Sequence, residues 1–477
     1  MIINIMQYLK FDVFEKSINT IETASGSAVV FMAKENKKKI FVIQGKNASS
    51  LGFNAQVIES GILRADLNHE NACVLRKIFP FTAPVRGLRK NTSFGLGDRL
   101  GIATSGHLRL FEKNDVFPVF AQQSVRELNL TNRTYEEVLD AVSFAVYREG
   151  FKKGFGADGD HLKTAKDIEY ALSLGFTMIT LDCSDHIKNE NPQSYPQLSK
   201  YYADKYLNRT FIIEDTNLVF TEEELKQCIS IYKEAVLFAE DIYNRFFASG
   251  KYNADLEISI DETESVTTPL AHFFAARELL DLGVSFASLA PRFCGEFQKG
   301  IDYKGDLTQF ENEIKIHAAI ARHFGYKLSI HSGSDKFRVF PVISRQTGGR
   351  FHIKTAGTSW LEALRIAAEF DPSLYREIHL SALTVFGDAK KNYHVTAALS
   401  EIPDISFLKD EELHTLFEND NARQLLHITY GQILNKKNND GSFVFKDRLY
   451  TLWQSYENEY FKALEKHIGK HLELLNI

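Results

Sequence analysis

Short apolar runs and helical patterns alternate through the middle of this sequence. From about residue 93 to residue 370, each apolar run is followed by a polar or glycine-containing turn and then by apolar residues at helical spacing. The runs that we predict to be strands are SFGLG, FPVFAQ, GFGAD, TMITLDC, LEISID, FASLAP, KLSIHS and FHIKTAG. Strands that alternate with helices indicate a parallel α/β fold, and eight of them are the number that closes a (β/α)8 barrel.

The helical segments carry their own start and stop signals. TTPLAHFFAARELLDLG has Thr267 or Thr268 as a candidate N-cap, Pro269 in the first turn and Gly283 after the last turn. TAKDIEYALSLG begins with Thr164 and also ends in a glycine. These signals support the alternation of strands and helices.

Three further segments flank or interrupt the predicted barrel of residues 93–370. Residues 1–92 are predicted to form a small β-containing segment that packs against it. An insertion at about residues 187–250 has helical apolar spacing and the length of two helices. Residues 371–477 are mainly helical in pattern and predict a helical C-terminal extension.

Composition narrows the class of protein. The chain has 477 residues, 44% of them hydrophobic, which is enough for a substantial core. A formal net charge of -6 offers no general attraction to nucleic acid. The four cysteines form no CxxC pair, the N-terminus lacks the pattern of a signal peptide, and no apolar run approaches the roughly 20 residues needed to cross a bilayer. We therefore expect a cytoplasmic protein with no nucleic-acid or membrane partner, and we make no prediction of its oligomeric state.

The positions just beyond the predicted strands are rich in ionisable groups. In a parallel barrel the loops after the strands form the face that carries the active site. The residues at these positions are Asp98, Gln122, Asp158, Asp160, His161, Asp182, Asp185, His186, Asp261, Glu262, Arg292, His331, Ser332 and Lys354. This concentration of polar and charged groups predicts an active site at the mouth of the barrel.

Three histidines at such positions predict a metal site. His161 follows the third strand, His331 ends the seventh and His352 lies within the eighth. Imidazoles that converge from neighbouring strands beside carboxylates commonly hold a divalent transition metal, so the candidates are Zn, Mn, Ni, Co and Fe. Taken singly, each histidine would more often be a structural hydrogen-bonding residue.

Carboxylates after two of the strands are candidate catalytic groups. Asp160 follows the third strand, and Asp261 and Glu262 follow the fifth, so a carboxylate of this pair that faces Asp160 would supply an acid and a base on opposite sides of a substrate. The alternative for Asp158 or Asp160 is to cap the helix that begins near Lys163, and a carboxylate after the fifth strand could cap the following segment.

Predicted substrate-binding residues follow the other strands. Arg292 and Lys299 come after the sixth strand and Lys336 after the seventh, where they would attract an anionic group. Surface solvation is the alternative for the two lysines. Lys354 projects from the eighth strand and could form a Schiff base with a ketone or pair with a barrel carboxylate; we favour the pairing. Gln122, at the end of the second strand, completes the set.

Several long stretches carry a family resemblance. SFGLGDRLGIAT, ADGDHLKT, IDETESVTTPLAHFF, APRFCGEFQKGIDY, HSGSDKF and FHIKTAGTSWLEALR follow one another in this order. Together they resemble the tagaturonate epimerase family, which interconverts tagaturonate and fructuronate in hexuronate breakdown, and the likeness continues through ARQLLHITYG. The resemblance implies a divalent metal, an aspartate proton acceptor and a glutamate proton donor. At matching positions these are Asp160 with metal-binding His161 in DGDH, and Glu262 in DET.

The implied reaction restricts the mechanism. The inverted carbon, C4 in ketose numbering, lies β to the ketone, so enolisation does not acidify its hydrogen. Three routes are open: retro-aldol cleavage with re-addition, transient oxidation by a bound nicotinamide, and a Schiff-base aldol reaction. GLGDRLG does not match the strand-GxGxxG-helix fingerprint of a dinucleotide site, so we favour a metal-assisted retro-aldol route. The alternative functions are a metal-dependent sugar isomerase or aldolase on the same barrel, and a non-catalytic sugar-acid-binding protein.

Overall fold

The computed structural model describes residues 11–23, 26–188, 197–263 and 265–477. Its strands are β1 (Asp12–Val13), β2 (Asn19–Thr23), β3 (Gly26–Glu35), β4 (Lys38–Gln44), β5 (Ala55–Glu59), β6 (Ile62–Asp66), β7 (Ser93–Leu96), β8 (Phe117–Ser124), β9 (Gly156–Leu162), β10 (Met178–Asp182), β11 (Thr210–Ile213), β12 (Thr216–Val219), β13 (Asp255–Ile260), β14 (Ser288–Pro291), β15 (Lys327–Ile330) and β16 (Phe351–Thr355). Its α-helices are α1 (His69–Ile78), α2 (Thr104–Phe111), α3 (Val125–Thr131), α4 (Tyr135–Glu149), α5 (Ala165–Ser173), α6 (Lys200–Tyr206), α7 (Glu222–Phe246), α8 (Pro269–Asp281), α9 (Leu307–Phe324), α10 (Phe340–Thr347), α11 (Thr358–Phe370), α12 (Pro372–Ala389), α13 (Asp420–Ile428), α14 (Tyr430–Asn435), α15 (Lys446–Ser455) and α16 (Glu457–Leu475).

Parallel strands close the central barrel. Their order is β7, β8, β9, β10, β13, β14, β15 and β16, and β16 pairs with β7 to complete the ring. Each of the eight predicted strands corresponds to one of them, so the predicted (β/α)8 class is confirmed. At least one helix follows every barrel strand and returns the chain to the opposite end, which is why neighbouring strands are parallel.

The inside of the barrel is polar. In β16, Phe351 and Ile353 belong to the apolar core between the sheet and the surrounding helices. His352 and Lys354 alternate with them and contact side chains from strands across the barrel interior or beside it. Charged side chains therefore fill the barrel from within, and the apolar core lies outside it.

Thr164 and Thr268 are the N-caps of α5 and α8, two helices that were predicted from the sequence. The side chain of Thr268 accepts a hydrogen bond from the third residue of α8, and Thr164 does the same for α5. The capping role considered for Asp158 or Asp160 is therefore wrong, because Thr164 already occupies that position.

The N-terminal residues form an antiparallel sheet against the barrel. The strand order is β1, β3, β4, β6 and β5, with β2 paired to β3. Tyr147 of α4 inserts its ring beside Phe41 at a centroid distance of 5.7 Å, and its hydroxyl donates to the carbonyl of Val30 at 2.7 Å. This sheet thus packs on a barrel helix through an aromatic cluster.

The insertion is only partly helical. It contains α6 and α7, but β11 and β12 form an antiparallel hairpin between them. The two β-rich runs TFII and TNLV are separated by two residues, the first of which, Glu214, has φ of 52°. Two-residue connections with positive φ are typical of hairpins, and the helical spacing on either side obscured this one. Residues 189–196 of the predicted insertion lie outside the described residues.

The C-terminal extension is helical, as predicted. It comprises α12 to α16 together with short 3-10 turns. Its segment around residues 392–394 reaches the mouth of the barrel. Within the described ranges, no helix is both long and apolar enough to span a membrane.

Glu457, the first residue of α16, joins three parts of the structure. Its carboxylate lies 2.7 Å from Nζ of Lys39 and 3.3 Å from Nζ of Lys34, both in the N-terminal sheet. Arg148 of α4 donates to both carboxylate oxygens at 2.9 Å. Burial would raise the pKa of Glu457, but Lys39 and Arg148 hold it well below its usual range.

Candidate active site

A cavity of about 580 Å³ opens at the carboxyl ends of the barrel strands. The predicted site residues that line it are Gln122, Asp160, His161, Glu262, Arg292, Lys299, His331 and Lys354. Residues 392–394 of the C-terminal extension form part of its wall. The predicted active-site face therefore carries a cavity, and two predicted residues, His352 and Lys336, are not among those that line it.

A β-bulge in β9 turns two consecutive side chains toward this cavity. The register against β10 shifts between Ile179 and Leu181, so that Asp160 and His161 together lie opposite Thr180. His161 has φ of 53°, in the left-handed region that residues other than glycine seldom adopt. Neighbours in a regular strand point to opposite faces, whereas these two both line the cavity. The bulge therefore brings a carboxylate and an imidazole to the same site.

Three side chains bring candidate metal ligands together. One nitrogen each of His161 and His331 and one oxygen of Asp261 lie within 4.8 Å of one another. Nδ1 of His331 is 3.0 Å from Oδ1 of Asp261. Nδ1 of His161 is buried and has no hydrogen-bond partner in the described part of the chain. Two imidazoles and a carboxylate suit a divalent transition metal, so these residues fit the predicted cofactor.

His352 is not part of this group. Its side chain is fully buried, and Nδ1 lies 2.9 Å from Oγ of Ser93. It precedes Lys354 by two residues on the same inward side of β16, so it lies one layer farther from the mouth. We therefore replace His352 by Asp261 in the candidate ligand set.

Lys354 is held by carboxylates at the floor of the cavity. Its Nζ donates to Oδ2 of Asp158 and Oδ1 of Asp160 at 2.7 Å each, and lies 3.0 Å from Oε1 of Glu257. Burial alone would lower the pKa of Lys354, but these carboxylates hold it well above its usual range. Of the two roles considered for Lys354, ion pairing is the one observed, and a protonated amine is not a nucleophile.

The neighbours of Asp160 keep it ionised. Burial would raise its pKa, but the charges of Lys354 and His161 lower the pKa of Asp160 to about 2. Burial would lower the pKa of His161, whereas the neighbouring carboxylates of Asp160 and Asp182 raise it to about 10. Asp158 differs, because burial outweighs Lys354 and raises its pKa to about 6. Asp160 is therefore a carboxylate at neutral pH and can accept a proton.

Glu262 also adjoins His161, at the rim of the cavity. One of its oxygens lies within 4.8 Å of ligand atoms of His161 and Asp182. Its side chain is 41% exposed, whereas that of Asp160 is 9% exposed. The two predicted catalytic carboxylates thus approach the same imidazole, one from the buried floor and one from the open rim.

Gln122 lies close to the backbone of the first barrel strand. Its Nε2 donates to the carbonyl of Thr355 at 3.3 Å, and its Oε1 is buried without a partner among the described residues. A Cβ atom at Gly95 would lie 1.7 Å from this oxygen, so the glycine leaves the space that Gln122 occupies. The unpaired amide oxygen lies in the space that Gly95 leaves, and Gln122 is one of the residues that line the cavity.

Lys336 does not face the cavity, which corrects its predicted role in binding an anion. It is fully buried, and its Nζ donates to the carbonyl oxygens of Gln298, Ile301 and Ser334 at 2.8, 2.6 and 2.8 Å. These bonds fasten the loop after β14 that carries Lys299. Lys336 is therefore a structural residue behind the cavity wall.

Sequence reasoning missed several residues that line or support the cavity. Arg126 lies in the first turn of α3, beyond the strand-end positions that the sequence argument considered. Glu257 is a charged residue at an inward position of β13, and its pairing with Lys354 of β16 could have been suspected from opposite charges in two predicted strands. Tyr393 comes from the C-terminal extension, and nothing local in its sequence indicates a place at the barrel mouth.

Comparisons with known proteins identify the family and agree with the fold. The family model described as tagaturonate epimerase matches residues 14–475. The chain is 43% identical to the tagaturonate/fructuronate epimerase of Thermotoga maritima over 479 residues, which cover 98% of this chain and 97% of the relative. A glycerol-complexed crystal structure of the fructuronate-tagaturonate epimerase of Cohnella laeviribosi has a TM-score of 0.95 and 45% identity, with 100% of this chain and 98% of that chain covered. This chain therefore belongs to the tagaturonate epimerase family.

Proposed function

We propose that this protein interconverts D-tagaturonate and D-fructuronate by inverting the configuration at C4, in ketose numbering. The observation that carries the proposal is the pair Asp160 and Glu262, which adjoin His161 from the floor and the rim of one cavity. An epimerase must serve alkoxides of both configurations, and one carboxylate cannot easily reach both. A sugar-acid-binding protein would need no such pair.

Retro-aldol cleavage followed by re-addition is the route that we propose. Asp160 accepts the proton of the C4 hydroxyl as the C3–C4 bond breaks, which leaves a three-carbon enolate and a three-carbon aldehyde acid in the cavity. The aldehyde turns its other face to the enolate, the bond re-forms, and Glu262 protonates the new alkoxide. The two carboxylates exchange roles in the reverse direction. Cleavage and re-addition involve no net oxidation or reduction, so no external oxidant or reductant is needed.

His161, Asp261 and His331 are the residues that would hold a divalent cation. Such a cation would supply Lewis-acid polarisation of the ketone and so favour formation of the enolate. Asp182 and Glu257 lie beside the two histidines of this set. Oδ2 of Asp182 is 3.6 Å from Nδ1 of His161, and Oε1 of Glu257 is 2.8 Å from Nε2 of His331. Partners of this kind fix the orientation of ligating imidazoles.

Removal of either histidine is expected to lower the metal content of the purified protein. His161→Ala and His331→Ala each delete one of three candidate ligands, and elemental analysis of the folded variants measures the loss. His352→Ala is the matched control, because His352 lies in the same barrel outside the ligand group. Metal retained in full by both variants, or lost equally by the control, would contradict the assignment.

The hydrogen on C4 is expected to stay on that carbon throughout turnover. The first measurement is interconversion of the two uronates by the wild-type protein, before and after treatment with a chelator. Substrate deuterated at C4 is then turned over in ordinary water and analysed by mass spectrometry. Neither cleavage nor re-addition breaks the C4–hydrogen bond, so the label should be retained. Loss of deuterium to solvent would exclude the simple retro-aldol route while leaving the epimerase activity itself established.

A further inference from the structure

Three cations face the cavity with little or no anionic pairing. Arg292 and Lys299 have no carboxylate within 4 Å among the described residues, and the nearest to Arg126 is Glu262, with Oε1 3.9 Å from Nη2. In the part of the chain that the structure describes, Nζ of Lys299 donates only to Oγ of Ser332, at 3.1 Å. The other two cations of the lining differ, because Arg99 is bound to Glu127 at 2.9 Å and Lys354 to Asp160 at 2.7 Å. All three are partly exposed to the cavity, Arg126 by 39%, and cations that line a cavity without a close carboxylate partner are suited to an anionic ligand.

Arg126 and Lys299 form one group within this set. Burial lowers the pKa of Lys299, and among its charged neighbours Arg126 lowers it most. Both side chains line the cavity, where their like charges repel each other. An anion bound between them would remove that repulsion, which is the electrostatic arrangement expected of a carboxylate site.

The order of groups along the cavity wall matches the order of groups in a hexuronate ketose. Glu262 adjoins the group of His161 within 4.8 Å and approaches Arg126 at 3.9 Å. In the substrate, C4 lies two carbons from the ketone and two carbons from the carboxylate. A ketone beside the candidate metal ligands and C4 beside Glu262 would thus direct the carboxylate toward Arg126.

The C-terminal extension holds Arg126 in place. The guanidinium carbon of Arg126 lies 4.9 Å from the centre of the Tyr393 ring, within the range of a cation–π contact. The hydroxyl of Tyr393 is 3.0 Å from that of Tyr430, which in turn stacks under Arg99 at 3.8 Å. Tyr393 is therefore held in place by a second aromatic residue of the extension. Nε of Arg126 has no hydrogen-bond partner in the described residues.

We infer that Arg126 and Lys299 bind the carboxylate of the uronate and that Tyr393 positions Arg126 for this contact. The inference rests on the proposed function, because it takes a uronate as the ligand. Arg126 presents a planar fork that matches a carboxylate, and Lys299 adds a point charge. Tyr393 is a positioning residue, since it acts on the ligand through Arg126.

The test measures fructuronate affinity and steady-state kinetics of the full-length, metal-loaded protein. Arg126→Gln is expected to raise Kd and KM for fructuronate by about 10- to 100-fold, as for loss of a charged hydrogen bond, with kcat retained within about threefold. Arg126→Lys should recover part of the affinity. Tyr393→Leu should raise KM in the wild-type background and have little further effect when Arg126 is already glutamine.

Arg245→Gln is the matched control, since Arg245 lies on the exposed side of α7 and its one ion pair among the described residues is with Asp241, at 3.4 Å. A change of less than about threefold in Kd for Arg126→Gln, in protein that retains its metal, overturns the inference, as does a loss confined to kcat. A loss of affinity in Arg292→Gln but not in Arg126→Gln would assign the carboxylate to Arg292 instead. Wild-type protein that does not interconvert the two uronates would contradict the proposed function. Failure of the proposed function can thus be distinguished from failure of the inference about Arg126.

Discussion

Replacement of Asp160 by asparagine is expected to lower kcat/KM for both uronates by about 10²-fold or more. The amide keeps the shape of the side chain and can still accept a hydrogen bond, but it cannot take up the proton of the C4 hydroxyl. Steady-state rates in both directions measure the effect, and elemental analysis checks that metal content is unchanged. Glu262→Gln is expected to cause a loss of similar size, because the amide cannot protonate the re-formed alkoxide.

Asp185→Asn is the control for these two variants. Asp185 also follows a barrel strand, but its side chain is 64% exposed and pairs with Lys163 at 2.6 Å outside the cavity lining. Its replacement should leave turnover unchanged. Near-normal rates for Asp160→Asn, or a comparable loss in Asp185→Asn, would remove Asp160 from the role of base.

Replacement of Lys354 by methionine is expected to destabilise the fold by about 3–5 kcal/mol, the usual range when one partner of a buried ion pair is removed. Lys354 is the shared cation of Asp158, Asp160 and Glu257, and its side chain is 4% exposed. Methionine fills a similar volume but leaves three carboxylates inside the barrel without their shared cation. The shift of the denaturant midpoint relative to wild type measures the loss.

Lys299→Met separates this effect from the mere loss of a buried lysine. Lys299 lines the same cavity but donates to a serine, so its replacement should change the midpoint far less. The Lys354→Met penalty should also grow as pH rises. Without Lys354, burial would raise the pKa of the three carboxylates in the folded state, so folding would be opposed increasingly as pH rises above their unfolded values of about 4, and the loss would level off above the raised values. Equal midpoints for the two variants at pH 8 would argue against the proposed charge cluster.

The barrel was predictable because its signals are local. Each strand is a short apolar run next to a helical pattern, and the residues that follow the strands, such as Asp160 and Glu262, reach the cavity because all parallel strands end at one face. The N-caps Thr164 and Thr268 could also be predicted, because capping depends on residues that are close in sequence.

The remaining site features depend on geometry that the sequence order does not reveal. The strand pattern did not predict the bulge that turns His161 inward, and it placed His352 near the mouth although it lies a layer deeper. Lys336 has the chemistry of an anion-binding residue, but three carbonyl groups already bind it. Arg126 and Tyr393 meet although they lie in separate parts of the chain, so only the tertiary structure identifies them as a pair.

The carboxylate of Glu457 has a consequence for how the molecule loses its structure. One side chain binds lysines of the N-terminal sheet and an arginine of the barrel, and it stands at the first turn of the last helix. If the last helix detached, Arg148 and the two lysines would lose their counter-charge; if the N-terminal sheet detached, Glu457 would lose two of its three cations. We therefore expect the two ends and the barrel to open as one cooperative unit, so that fraying at one terminus is transmitted to the other.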